Sequence, residues 1–195
     1  MKLSLSLILA STLALVGCGA SNEEQKTVAD TGNTTQNEKK DFSPVPMADK
    51  VLVDQTGREY RFSDFKGKVV FANFFTAWCN ACRSELKDIQ ALYEKTGKNE
   101  GDVIVIGVAN PKTDENPRNA GGTKEELMKL IKDFGITYPV LTDPDGSVFD
   151  AFAIRAFPTT YTFNQNNEVF GYLSGAIDLE QMENIINQTQ KGSTK

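Results

Sequence analysis

The sequence predicts an α/β fold, a central mixed sheet with helices on both faces. Two continuous apolar runs, Val69–Phe75 and Val103–Val108, read as strands buried on both sides. Three further stretches, beginning near residues 80, 123 and 178, repeat apolar residues at helical spacing. These patterns alternate along the chain, the order that layered α/β domains produce.

The elements follow in order. Pro44 and Pro46 mark the entry into the folded part at about residue 43. Val51-Leu52-Val53 and Glu59-Tyr60-Arg61-Phe62, around Gln55-Thr56-Gly57, read as a short hairpin. Val69–Phe75 is the central strand, and the helix from Asn80 to Lys95 carries Leu86, Ile89 and Tyr93 on one face. After the second strand, Asn110–Gly122 holds two prolines and two glycines; it reads as a long loop, either a partner-contact surface or a tolerated insertion. Thr123-Lys124-Glu125-Glu126 is a capping box opening a helix with Leu127, Leu130, Ile131 and Phe134 inward, which Gly135 closes. Thr159–Phe163 and Glu168–Tyr172 pair across Asn164–Asn167, and Asp178 caps a last helix with Leu179, Met182, Ile185 and Ile186 inward.

Composition removes several function classes. The 195 residues are 39% hydrophobic and 24% charged, enough for one domain with extensions. A net charge of −5, spread along the chain, leaves no basic footprint for nucleic acid. There is no histidine, so Ser-His-Asp and Cys-His catalysis, His-ligated metal sites and His-based pH switching are all excluded.

The N-terminus reads as a targeting signal. Lys2 precedes an apolar stretch, Leu3–Val16, that is too short for a membrane-spanning helix of about 20 residues. Leu15-Val16-Gly17-Cys18 resembles the bacterial lipobox, in which the thiol of the cysteine takes the lipid and the preceding peptide is removed. The expected organisation is a signal peptide over 1–17, lipidated Cys18 and a polar flexible tether over 18–42, the domain over 43–190, and a polar tail over 191–195. Localisation follows as the extracytoplasmic face of a cell membrane, with the long tether favouring a Gram-positive surface over a Gram-negative envelope. Lipid on Cys18 leaves Cys79 and Cys82 as the only thiols of the mature domain. A structural bridge is the weaker reading of this pair, because closing so small a loop removes little chain entropy.

The chemistry centres on Trp78-Cys79-Asn80-Ala81-Cys82, where the buried strand runs into the helix. Unpaired backbone N–H groups and the helix dipole at that junction favour a thiolate on Cys79. Together with Ala156-Phe157-Pro158-Thr159-Thr160 before the later hairpin, these residues resemble the thioredoxin superfold. The resemblance is closest to the TlpA/ResA-like extracytoplasmic thiol-disulfide oxidoreductases, and covers roughly residues 43–188. Gly67-Lys68-Val69-Val70 and the insert ending at Tyr138-Pro139-Val140 are similar to that group too. It implies a thioredoxin-like fold with an N-terminal β-hairpin extension and a helix insertion.

The resemblance also implies roles. Cys79 attacks a partner disulfide and Cys82 resolves the mixed disulfide. Pro158 matches the family's cis-proline beside the cysteines, and Trp78, Phe157 and Thr159 line or support the substrate groove. No cofactor beyond the redox-active pair and no metal is expected. Implied partners are protein disulfide or dithiol clients, such as a cytochrome c apoprotein or a secreted methionine sulfoxide reductase. A polytopic membrane thiol carrier of the CcdA/DsbD type is the implied electron donor, and the protein is expected to be a monomer.

Three positions depart from thioredoxins. Asn73 stands where many carry a buried Asp, which leaves the proton acceptor of the second cysteine unassigned; the TlpA/ResA-like group often has Asn there as well. Glu85, one turn beyond Cys82, reads either as a proton relay or as a solvated helix carboxylate, with the second favoured. Lys87 replaces a helix-kinking proline. The Asn80-Ala81 dipeptide lacks the His common in strong oxidases, favouring a reductase over a disulfide-forming oxidase. Two other readings compete. Thr76-Ala77-Trp78-Cys79 mimics a peroxidase Thr-x-x-Cys, but Ala72 stands where that site wants Pro. Two thiolates suit Cu(I) delivery, but relatives of that kind add a His and space the cysteines more widely.

Overall fold

The structure is a computed structural model and describes residues 43–192. The expected signal peptide, lipidation at Cys18 and tether fall on residues 1–42, which, like residues 193–195, lie outside the described residues.

Eight strands form one mixed sheet: β1 (Ser43–Pro44), β2 (Leu52–Val53), β3 (Glu59–Tyr60), β4 (Val69–Phe74), β5 (Val103–Ala109), β6 (Val140–Thr142), β7 (Thr159–Phe163) and β8 (Glu168–Ser174). Their order across the sheet is β1-β8-β7-β4-β5-β6-β2-β3. The centre is parallel, with β4 on β5 and β5 on β6, while β7 runs antiparallel to β4. Among the described residues four α-helices accompany it: α1 (Asn80–Lys95), α2 (Lys124–Asp133), α3 (Ser147–Ala151) and α4 (Leu179–Gly192).

The period-2 geometry of the central strands builds two cores. Val69 and Phe71 on β4, with Val103 and Val105 on β5, face α1, α2 and α4, where they meet Leu86, Ile89, Leu127, Leu130, Met182 and Ile186. Val70, Ala72 and Phe74 face the other way with Ile104, Ile106 and Val108, against Phe62, Phe65, Val148, Phe149 and Phe152. Both faces are covered, as an all-apolar strand requires.

The expected hairpin over 51–62 is real but shorter. Phe62–Phe65 turns into a single 3-10 turn, because Phe62 and Phe65 both point into the second core and a continued strand would expose one of them. Strand β6 and helix α3 had no counterpart among the sequence expectations. The capping box at Thr123 forms as read, with Glu126 N–H donating to Thr123 Oγ1 at 3.1 Å and Thr123 N–H to Glu126 Oε2 at 2.8 Å. Gly135 follows α2 at φ +62, the left-handed conformation that lets a chain leave a helix. Asp178 caps α4 reciprocally with Gln181, and α4 continues to Gly192, two residues into the expected tail.

Gly107 sits mid-strand on β5 because rings cross it. A Cβ there would lie 2.8 Å from Phe75 Cε1 and 3.2 Å from Tyr138 Cε2. Gly107→Ala is therefore expected to destabilise the fold by about 1–3 kcal/mol through overpacking, measured as a lower urea midpoint at unchanged slope.

Candidate active site

Strand β4 delivers the chain through Phe75-Thr76-Ala77-Trp78 to the start of α1. The N-cap of that helix is Cys79 itself, whose Sγ accepts from the backbone N–H of Cys82 at 3.1 Å. Cys79 and Cys82 form a disulfide with a Cα–Cα distance of 5.3 Å. Cys79 is 5% exposed and Cys82 0%, so the first cysteine is the one with surface toward solvent. Both are more enclosed than an open helix start suggests. The N–H that caps Cys79 Sγ, together with the dipole of an uninterrupted 16-residue helix, stabilises a thiolate there once the pair is reduced. Lys87 continues α1 without a break.

Aromatic side chains frame the pair. Trp78 is 58% exposed, which excludes a core tryptophan; its Nε1–H donates to the Ala120 carbonyl at 2.5 Å. Its ring meets that of Phe157 edge-on, with centroids 6.0 Å apart at 87°. The Phe157–Pro158 peptide is cis, as the resemblance implied, and Pro158 is buried. Thr159, also buried, opens β7, where its hydroxyl donates to the Ala156 carbonyl at 2.9 Å. Phe157 thus packs against the core that contains Cys79 and Cys82, Trp78 meets Phe157, and Pro158 and Thr159 continue the chain from Phe157 as buried residues.

Glu85 requires a correction. It is 2% exposed, not solvated, because α1 turns Cys82, Glu85, Leu86 and Ile89 onto one inward face. Its Oε1 accepts from Asn73 Nδ2 at 2.8 Å and its Oε2 from the Ile177 backbone N–H at 3.1 Å. Asn73 also donates to Thr160 Oγ1 at 3.0 Å. Burial pushes the Glu85 carboxyl up to about 7, even though both hydrogen bonds favour its charged form; the charge of Asp88 adds to the rise. Its place in the inward stripe was the sequence signal for this residue. A buried carboxyl that titrates near neutrality, one turn from Cys82, has the properties of a thiol proton acceptor.

Among the described residues no group of three or more Cys, Asp or Glu side chains is placed to hold a metal ion, and no helix is long and apolar enough to cross a membrane. The arrangement suits one chemistry, exchange between a thiolate and a disulfide.

Known proteins share the frame. The AhpC/TSA family profile matches residues 43–170. The thiol-disulfide oxidoreductase ResA of Geobacillus kaustophilus is 31% identical over 135 residues, covering 69% of this chain and 71% of that protein. ResA of Bacillus subtilis is 31% identical over 144 residues, 74% of each chain. Among solved structures, the exposed lipoprotein thioredoxin of Streptococcus pneumoniae superposes with a TM-score of 0.58 at 22% identity, covering 71% of this chain and 98% of that one. With Cys79 of the disulfide capping α1 and Phe157 of the cis Phe157–Pro158 peptide packed on the same core, the chain belongs to the AhpC/TSA family and, within it, to the ResA-like thiol-disulfide oxidoreductases.

Proposed function

We propose that the protein is a lipid-anchored, extracytoplasmic reductase that keeps the thiols of exported proteins reduced. The observation that carries this reading is Cys79 at the N-cap of α1, with only Asn80 and Ala81 between it and Cys82. No imidazolium in that dipeptide holds the reduced form down in energy, which favours a pair that gives electrons away.

In the forward direction the Cys79 thiolate attacks one sulfur of a client disulfide. A mixed disulfide forms and the client's other sulfur leaves as a thiolate. Cys82 loses its proton to Glu85 and attacks Cys79 Sγ; the Cys79–Cys82 bond forms and the second client sulfur departs. Two electrons have passed to the client. Two more, from a membrane thiol carrier, return the pair to its dithiol. Clients such as a cytochrome c apoprotein or a secreted methionine sulfoxide reductase fit this role equally. Leu15-Val16-Gly17-Cys18 supports the anchor, and so does the lipoprotein character of the pneumococcal relative.

Equilibration with glutathione tests the direction. The pair is expected near the roughly −270 mV of thioredoxin; a value near the roughly −120 mV of DsbA would instead make the protein an oxidase. Fast peroxide turnover would support the peroxidase reading. Metabolic labelling with a fatty acid tests the anchor: Cys18→Ala should lose the label and be released from membranes.

A further inference from the structure

The loop between β5 and α2 touches the active site at two points. Ala77 N–H donates to the Gly121 carbonyl at 3.3 Å, and the Trp78 indole N–H to the Ala120 carbonyl at 2.5 Å. The loop base is closed on itself, with Gly121 N–H donating to the Asn110 carbonyl at 3.1 Å and Lys112 N–H to the Gly122 carbonyl at 2.7 Å. Asn119 fastens the return segment by donating to the carbonyls of Pro111 and Pro144. Gly121 has no space for a side chain, since a Cβ would lie 2.3 Å from the Asn110 carbonyl oxygen. The Ala120 carbonyl is therefore held in place by packing that reaches back to β5.

The result is an exposed aromatic that is fixed rather than free. Trp78 is pinned at its nitrogen by the loop and at its ring by the T-shaped contact with Phe157, which in turn packs on Phe149 at 6.1 Å. Two rings at right angles, one beside Cys79 and one beside Pro158, form a bracket open to solvent. An immobilised aromatic wall binds an apolar side chain without first losing its own rotamer freedom.

We propose that Gly121 is a positioning residue: by fixing the Ala120 carbonyl, the 110–122 loop holds Trp78 against Phe157. The bracket so formed selects clients that carry an apolar or aromatic side chain next to the reacting cysteine. The selection acts on the mixed disulfide and holds whichever way electrons run, so it stands on the exchange activity alone and not on the proposed reductase role.

The test compares two peptide disulfides that differ only in having Phe or Ser beside the cysteine, with oxidised glutathione as a small disulfide that does not span the bracket. The parent protein is expected to prefer the Phe peptide about five- to tenfold in kcat/KM, the range of an aromatic contact. In Gly121→Ala that preference falls to within about twofold while the glutathione rate stays within about twofold of the parent, as a positioning role requires. The chain has one tryptophan, so its emission reads Trp78 alone, and a red shift in Gly121→Ala is expected as the indole comes free. Trp78→Phe, which keeps a ring but deletes the N–H, serves if Gly121→Ala does not fold, and should lose most of the preference too. Equal parent rates on the two peptides would overturn the proposal. So would a preference that survives in Gly121→Ala despite the red-shifted emission, or in Trp78→Phe.

Discussion

Cys79→Ser is expected to lower the rate of disulfide reduction by roughly three orders of magnitude or more, since a hydroxyl is hardly ionised near neutral pH and a thiolate is the attacking species. Cys82 cannot take over. It has no exposed surface, so a client disulfide does not reach its sulfur. Stopped-flow reaction of a peptide disulfide with the fully reduced parent and with reduced Cys79→Ser checks this. The same instrument should show Cys82→Ser retaining the first attack, within about tenfold of the parent, and stalling before product release.

Glu85→Gln is expected to move stability and activity in opposite directions. In the unfolded chain the carboxyl ionises near its ordinary 4.5; in the fold, burial raises it to about 7. Between those values the folded state binds the proton and the unfolded state does not, so stability falls as pH rises through that window and then levels off. The ionised carboxylate costs roughly 2–4 kcal/mol relative to the neutral acid. Asn73 and Ile177 aim donors at Glu85, and the charge of Asp88 on its own helix adds to the rise. Glutamine has the shape of the neutral acid. Urea unfolding should therefore find Glu85→Gln equal to the parent at pH 5 and about 1–3 kcal/mol more stable at pH 8.5. Resolution of the mixed disulfide should meanwhile slow by about 10²-fold, with the pH dependence near 7 removed. A variant that lost stability and activity together would mark Glu85 as a structural residue only.

Local features of the sequence carried most of the frame. Helix α1 runs from Asn80 to Lys95, the span its pattern indicated, because an apolar strand, a capping Cys and a regular stripe all act within about 25 residues. The turn between β7 and β8 was readable for the same reason: Asn164 Oδ1 accepts from the backbone N–H groups of Asn166 and Glu168, a contact within five residues. Strand β6 was not. Its three residues draw their pairing from Gly107–Ala109 and Val53, far away in the chain, and Tyr138-Pro139 before it suggests the end of an insert. Helix α3, five residues long, is too short to show a repeat.

Around the site, the cysteines and Pro158 were legible as motif residues. Glu85 was misjudged because residue type outweighed position: glutamates favour solvent, yet this one lies in line with Cys82 and Leu86. The clamp on Trp78 was invisible because the group that holds it is a backbone carbonyl, at Ala120, and no side chain advertises it. A loop reads as either contact surface or insertion until the backbone shows what it is tied to.

The most direct test of the central claim, that Cys79 attacks and Cys82 resolves, is to trap the intermediate. Reduced Cys82→Ala is mixed with a disulfide-bonded client and the products are mapped by mass spectrometry. A covalent adduct should accumulate on Cys79 and dissolve with dithiothreitol, while Cys79→Ala should give none. An adduct of equal yield on Cys82 in the Cys79→Ala protein would contradict the assignment of the two sulfurs.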